Sequence, residues 1–205
     1  MKKVVSLGLV FISSLSLAAC GNNQDNSSNS SSKNANNEET TVSSSVIESS
    51  SVTEESDSNF VANASDASFD GTILKGNAYS IKITDYKVLQ PGEAGNEYGE
   101  KPVIAFWYDT MVAPDYSDDM KISPNIAWIG NFQAVQDNDP NKVNTLNIAS
   151  LPDEAHLDSQ SAEIKPGGTV QSSVAYELTD LETPVKLIAE NVMGKEFGSA
   201  EFQVK

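Results

Sequence analysis

The chain has 205 residues, of which 29 are acidic and 13 are Lys; there is no Arg, and the formal charge is -16. That sign excludes nucleic acid as a partner, because phosphates call for a basic footprint and favour the guanidinium fork. A single His and a single Cys exclude a Cys/His zinc site and an internal disulfide, and without a phosphate-cradling Gly-rich loop no cofactor is implied.

Residues 1–19 read as an export signal: Lys2 and Lys3, then an uncharged apolar run from Val4 to Leu17, shorter than the ~20 residues of a membrane-spanning helix. The run ends in Leu17-Ala18-Ala19-Cys20-Gly21, which resembles the lipobox of bacterial lipoproteins. The resemblance implies cleavage between Ala19 and Cys20 and a diacylglyceryl thioether at Cys20, which turns the only thiol into a link to membrane lipid. Two acyl chains anchor stably where one is marginal. Losing Lys2 and Lys3 leaves the mature chain more acidic still, so the lipid must hold it without help from a polybasic patch.

Residues 20–68 form the next region. From Gly21 to Ser68, 48 residues include 15 Ser and 9 Asn, eight acids, one Lys and one aromatic, Phe60. Too little apolar surface is present to offset the entropy of ordering, which predicts a disordered tether. A coil of that length spans roughly 40 Å, and repulsion among its acids extends it.

Residues 69–205 hold both Trp and all six Tyr, and their number suits one domain with its own core. The period here is two. Tyr79, Ile81 and Ile83 alternate with polar residues, and Tyr86 and Val88 then take the opposite phase, which places a bulge near Asp85. Val103 to Val112 is apolar on both faces, as in a central strand. A Pro124-interrupted approach carrying Ile126 and Trp128 leads to a strand at Phe132, Ala134 and Gln136. Val170 to Leu178 alternates cleanly, followed by Val185, Leu187 and Ala189, and by Ala200, Phe202 and Val204. Turns are expected at Pro91-Gly92, Asp139-Pro140-Asn141, Pro166-Gly167-Gly168 and Met193-Gly194-Lys195. About seven short strands predict an all-β, antiparallel sandwich.

The strings Lys101 to Thr110, Phe132 to Leu146 and Ile164 to Glu190 resemble a family of uncharacterised lipoproteins from Gram-positive bacteria. Its domain of unknown function is similar to telokin-like, immunoglobulin-like sandwiches. The resemblance implies that architecture without the core disulfide of antibody domains, and it brings no activity.

Candidate chemistry is sparse. His156 has Asp158 and several Ser nearby in sequence, but triads are assembled in space, no Gly-x-Ser-x-Gly elbow occurs, and a solvated His is the expectation. Asp137, Asp139 and Asn141 begin like a calcium loop, yet Lys142 stands where Gly is needed and Ile148 where a bidentate Glu closes the shell; an Asx-rich turn is expected, with these three as the candidate metal ligands. Asp115, Asp118 and Asp119 form a second acidic loop, expected to be solvated. Trp107, Tyr108 and Trp128 are the aromatics that could stack on wall sugars; Trp107, in the strand apolar on both faces, is expected in the core, and the sequence leaves the exposure of Trp128 open. The expected protein is a monomeric cell-surface lipoprotein, held to membrane lipid through Cys20, that binds a surface protein or cell-wall component. An accessory lipoprotein capturing a small ligand or calcium, and an envelope hydrolase, are the alternatives.

Overall fold

The computed structural model describes residues 58–205. The signal at 1–19, Ala19 and Cys20, and the tether as far as 57 lie outside the described residues.

Among the described residues, eight strands make two antiparallel sheets that pack together. The first sheet has five strands in the order β1 (Ser68–Phe69), β2 (Ile73–Lys75), β3 (Tyr79–Leu89), β4 (Val103–Val112) and β6 (Thr169–Glu177); the second has β5 (Phe132–Gln136), β7 (Val185–Glu190) and β8 (Glu196–Phe202). β4 is an interior strand, between β3 and the edge strand β6, and is covered on both faces, as its two-sided apolar pattern requires. β3 slips register between Ile83, opposite Tyr108, and Asp85, opposite Trp107. Thr84 is therefore the extra residue of a bulge, the feature announced by the phase change in the sequence.

Between the sheets lies an aromatic core: Trp128 is 4.3 Å from Tyr108 and 4.5 Å from Phe132 by ring centroid, and Phe106 is 4.9 Å from Phe202. A smaller cluster of Leu89, Val103, Ala105 and Ala175 occupies the other face of the five-stranded sheet, with Trp107 and Ala149 against it.

The segment 144–149 joins the two sheets at their free edges. Gln136 and Leu146 donate their amides to Asn144 and Ala134 (3.1 and 2.9 Å), beside β5; Ala149 and Glu177 donate theirs to Ala175 and Asn147 (2.8 and 2.9 Å), beside β6. Two strand edges that would otherwise stand open are thereby covered.

Two expectations are corrected. The boundary at 68/69 falls inside ordered structure: Ser80 Oγ donates to Asn59 O at 2.6 Å, Val61 N donates to Gly76 O at 3.1 Å, and a 3-10 turn runs over Ala64–Asp66 before β1. The eight strands among the described residues agree with the expected number of about seven; β1 and β2, with two and three residues, are too short to display a period. The approach at Pro124 is a helix, α1 (Pro124–Ile129), with Ser123 at its N-cap, Pro in the first turn and Gly130 at its C-cap, and it sends Ala127 and Trp128 into the core. That order of capping residues is a helix signature.

Candidate functional site

β3 separates the two ends of the sandwich. Its 11 residues span roughly 35 Å at a strand's rise. Near Tyr79 lie the entry of the described chain at Asn59 and Val61 and, through the Asn131 amide that donates to the Tyr79 hydroxyl at 2.7 Å, the start of β5. Beyond Leu89 lie the loops 90–102, 137–144 and 178–184.

The first of these loops is built around Asn96, which is buried. Its amide donates to Leu89 O (3.3 Å) and Lys101 O (2.9 Å), and its backbone accepts from Gly92 and Gly99 (3.0 and 3.3 Å). Gly95 has φ +87, and a Cβ there would lie 2.3 Å from Pro152 O. Lys101 Nζ meets Glu177 at 2.9 Å across the loop's base. The outcome is a fixed loop that leaves the Tyr98 side chain 98% exposed. Burying an aromatic of that size on a partner is favourable, and little loop entropy is left to lose.

The other two loops are pinned by Gln136, which has no exposed surface. Its amide donates to Asp180 O and Thr183 O (3.1 and 2.8 Å), and its carbonyl accepts from Thr179 N and Oγ1 (both 2.8 Å). Hydrogen bonds from Asn138 and from the Thr183 and Glu182 amides hold the Asp180 carboxyl down at about 2. Glu93, Glu97, Glu100, Asp137, Asp139 and Glu182 give this end an acidic rim.

The candidate cation ligands belong to that rim but do not converge. Asp139 Oδ1 accepts from Asn141 N at 2.9 Å, an Asx turn, and Oδ2 lies 3.9 Å from Lys142 Nζ. No group of three acidic, His or Cys side chains among the described residues is arranged to hold a metal ion. Asp115, Asp118 and Asp119 are exposed on their loop.

His156 sits in a 3-10 turn (Glu154–His156) that lies over the outer face of the five-stranded sheet. The acid beside it is Asp153, not Asp158. Ser173 Oγ is 3.0 Å from His156 Nδ1 and Asp153 Oδ2 is 4.0 Å from the same nitrogen. A nucleophile-activating imidazole needs its serine and its carboxylate on opposite nitrogens; here both approach one. Asp153 also accepts from Trp107 Nε1 at 3.0 Å, and that bond, with the Ala155 amide and His156, holds its carboxyl below the usual range.

Of the two tryptophans, Trp128, whose exposure the sequence left open, is the buried one, and the core expectation for Trp107 is corrected. Trp128 is 0% exposed, donates Nε1 to the Tyr176 hydroxyl at 2.8 Å and is part of the core; burial pushes Tyr176 up to about 12. Trp107, on the opposite face of β4, is the half-buried one. Tyr98, Thr84 and Gln171 escape sequence reading altogether. For Tyr98 a signal existed: an aromatic isolated among Gly92, Gly95, Gly99 and acids has no period to bury it.

A family model described as "Domain of unknown function (DUF5067)" matches residues 50–191. No curated protein matches the chain. Among solved structures, one described as that of "a putative lipoprotein from Staphylococcus aureus subsp. aureus NCTC 8325" superposes with a TM-score of 0.56 at 21% identity, covering 67% of this chain and 92% of that one. At that identity the likeness is one of fold. The family match takes in β1 to β7 and both loops around Gln136 and Tyr98, and the chain accordingly belongs to the DUF5067 family.

Proposed function

We propose that the chain is a lipoprotein, anchored through Cys20 at the extracytoplasmic face of the membrane, whose immunoglobulin-like sandwich binds a protein or envelope component through its loop end. The lipobox at Ala19-Cys20 and the description of the solved relative as a lipoprotein support the anchor. One observation carries the binding role: the fully exposed Tyr98 stands on a rigid loop at the end of β3 remote from the chain's entry. The acidic rim around it favours a basic partner surface and steers its approach. The reading is of a binding module rather than an enzyme, in keeping with the placement of Ser173 and Asp153 on one nitrogen of His156.

The test is retention of envelope components by the immobilised mature chain. Tyr98→Ala should abolish retention, while Val192→Ala, at the exposed β7–β8 tip on the opposite end, should leave it intact, both with unchanged Tm. Retention that survives Tyr98→Ala, or that is lost in Val192→Ala instead, would overturn the assignment.

A further inference from the structure

We propose a second, independent site: the outer face of the five-stranded sheet binds one neutral sugar ring in a cleft bounded by Thr84, Trp107, Asp153, His156 and Gln171. The bulge in β3 is the first sign of construction. Bulges re-aim side chains near functional sites, and the extra residue here, Thr84, lines the cleft.

Behind the lining is a supporting layer. Asp153 holds the Trp107 indole through Nε1 (3.0 Å) and is itself fixed by the Ala155 amide (3.0 Å), while Ser173, which is buried, holds His156 by Nδ1 (3.0 Å). The groups facing outward are left uncommitted. Among the described residues, the Thr84 hydroxyl, the Gln171 amide and His156 Nε2 make no hydrogen bond of their own. Such a set, fixed from behind and open in front, is how binding constellations are held in place.

Size and chemistry select the ligand. The cleft holds about 240 Å³, several times a water's ~30 Å³ and below the ~300–1,000 Å³ of sites for drug-sized molecules. Asp153, together with Asp85, which pairs with Trp107 across the strands, disfavours an anion; Asp109, beside Gln171, stands opposite Lys82, so that pair adds little net charge. A simple ammonium ion only donates and would leave the Gln171 N–H groups unanswered. A pyranose both donates and accepts through its hydroxyls and offers an apolar face to Trp107.

The full mature chain carrying Cys20→Ala is titrated with glucose and with N-acetylglucosamine, with sodium acetate and tetramethylammonium chloride as controls, and the two tryptophan indole N–H resonances are followed. Trp128 is sealed in the core, so the Trp107 resonance alone should shift, saturably and with a Kd of about 1–10 mM for a ligand of one ring. Gln171→Ala should weaken binding about tenfold or more at unchanged Tm, and Tyr98→Ala should leave it unaltered. No saturable shift with either sugar up to about 100 mM, saturation by a control ion instead, or wild-type affinity in Gln171→Ala would overturn the site; none of these outcomes bears on the loop end.

Discussion

Gln136 and Asp180 form one unit with two kinds of energy in it. Gln136 contributes hydrogen bonds in a site closed to water, so Gln136→Leu leaves the Thr179 amide and the Asp180 and Thr183 carbonyls without their partner. The expected cost is about 3 kcal/mol, read as a lowered denaturation midpoint with an unchanged m value. Asp180 contributes through its charge. Its folded-state pKa, about 2, lies below the ~3.9 of an unfolded Asp, so the unfolded state binds the proton first. The stabilisation is complete above about pH 4 and is lost as pH falls from there through about 2. Asp180→Asn should therefore melt lower at pH 7 and show a flatter stability profile between pH 4 and 2; a profile as steep as the wild type's would mean that other carboxylates set the acid limb.

Strand β8 depends on a backbone approach that only glycine allows. Gly198 has φ +144, and a Cβ on it would sit 2.3 Å from the carbonyl oxygen of Phe69 in β1. Gly194, in the β7–β8 turn, has φ +77 and nothing within 4 Å. Gly194→Ala should cost only left-handed strain, about 1 kcal/mol, whereas Gly198→Ala should cost upwards of about 2 kcal/mol because strain and clash combine. Equal thermal shifts in the two variants would mean that β1 yields freely. Such contacts are invisible in sequence, unlike the long strands, whose two-residue alternation or two-sided apolarity follows directly from which faces are buried; β4 was legible to the residue for that reason. α1, with six residues, is too short to display a helical period, so Ile126 and Trp128 read only as the approach to the strand at Phe132. Of the candidate sites, the sequence carried the residues His156 and Trp107 but not their company. Asp153, Ser173, Thr84 and Gln171 come from three different segments, and only the folding of 150–161 over the sheet assembles them.

At the scale of the whole chain, the charge of -16 acts against any electrostatic hold on an anionic membrane surface, and no helix among the described residues is long and apolar enough to cross a membrane. In the function proposed above, attachment is through a Cys20 thioether, while the described chain is already fixed at Asn59, whose carbonyl accepts from Ser80. Anchor and fold are then separable by mutation. Cys20→Ala removes the only thiol and with it the acyl chains, without touching any contact made by residues 58–205. The protein should move from the membrane fraction to the medium, or remain as an unprocessed precursor with its signal uncleaved, and in either form the domain should keep its wild-type melting temperature, because the chain's own core and not the bilayer stabilises it. A fully processed Cys20→Ala chain that still sediments with membranes would show that something other than lipid holds it, and the exposed Ile126, Ile129, Val192 and Met193 would be the first residues to replace.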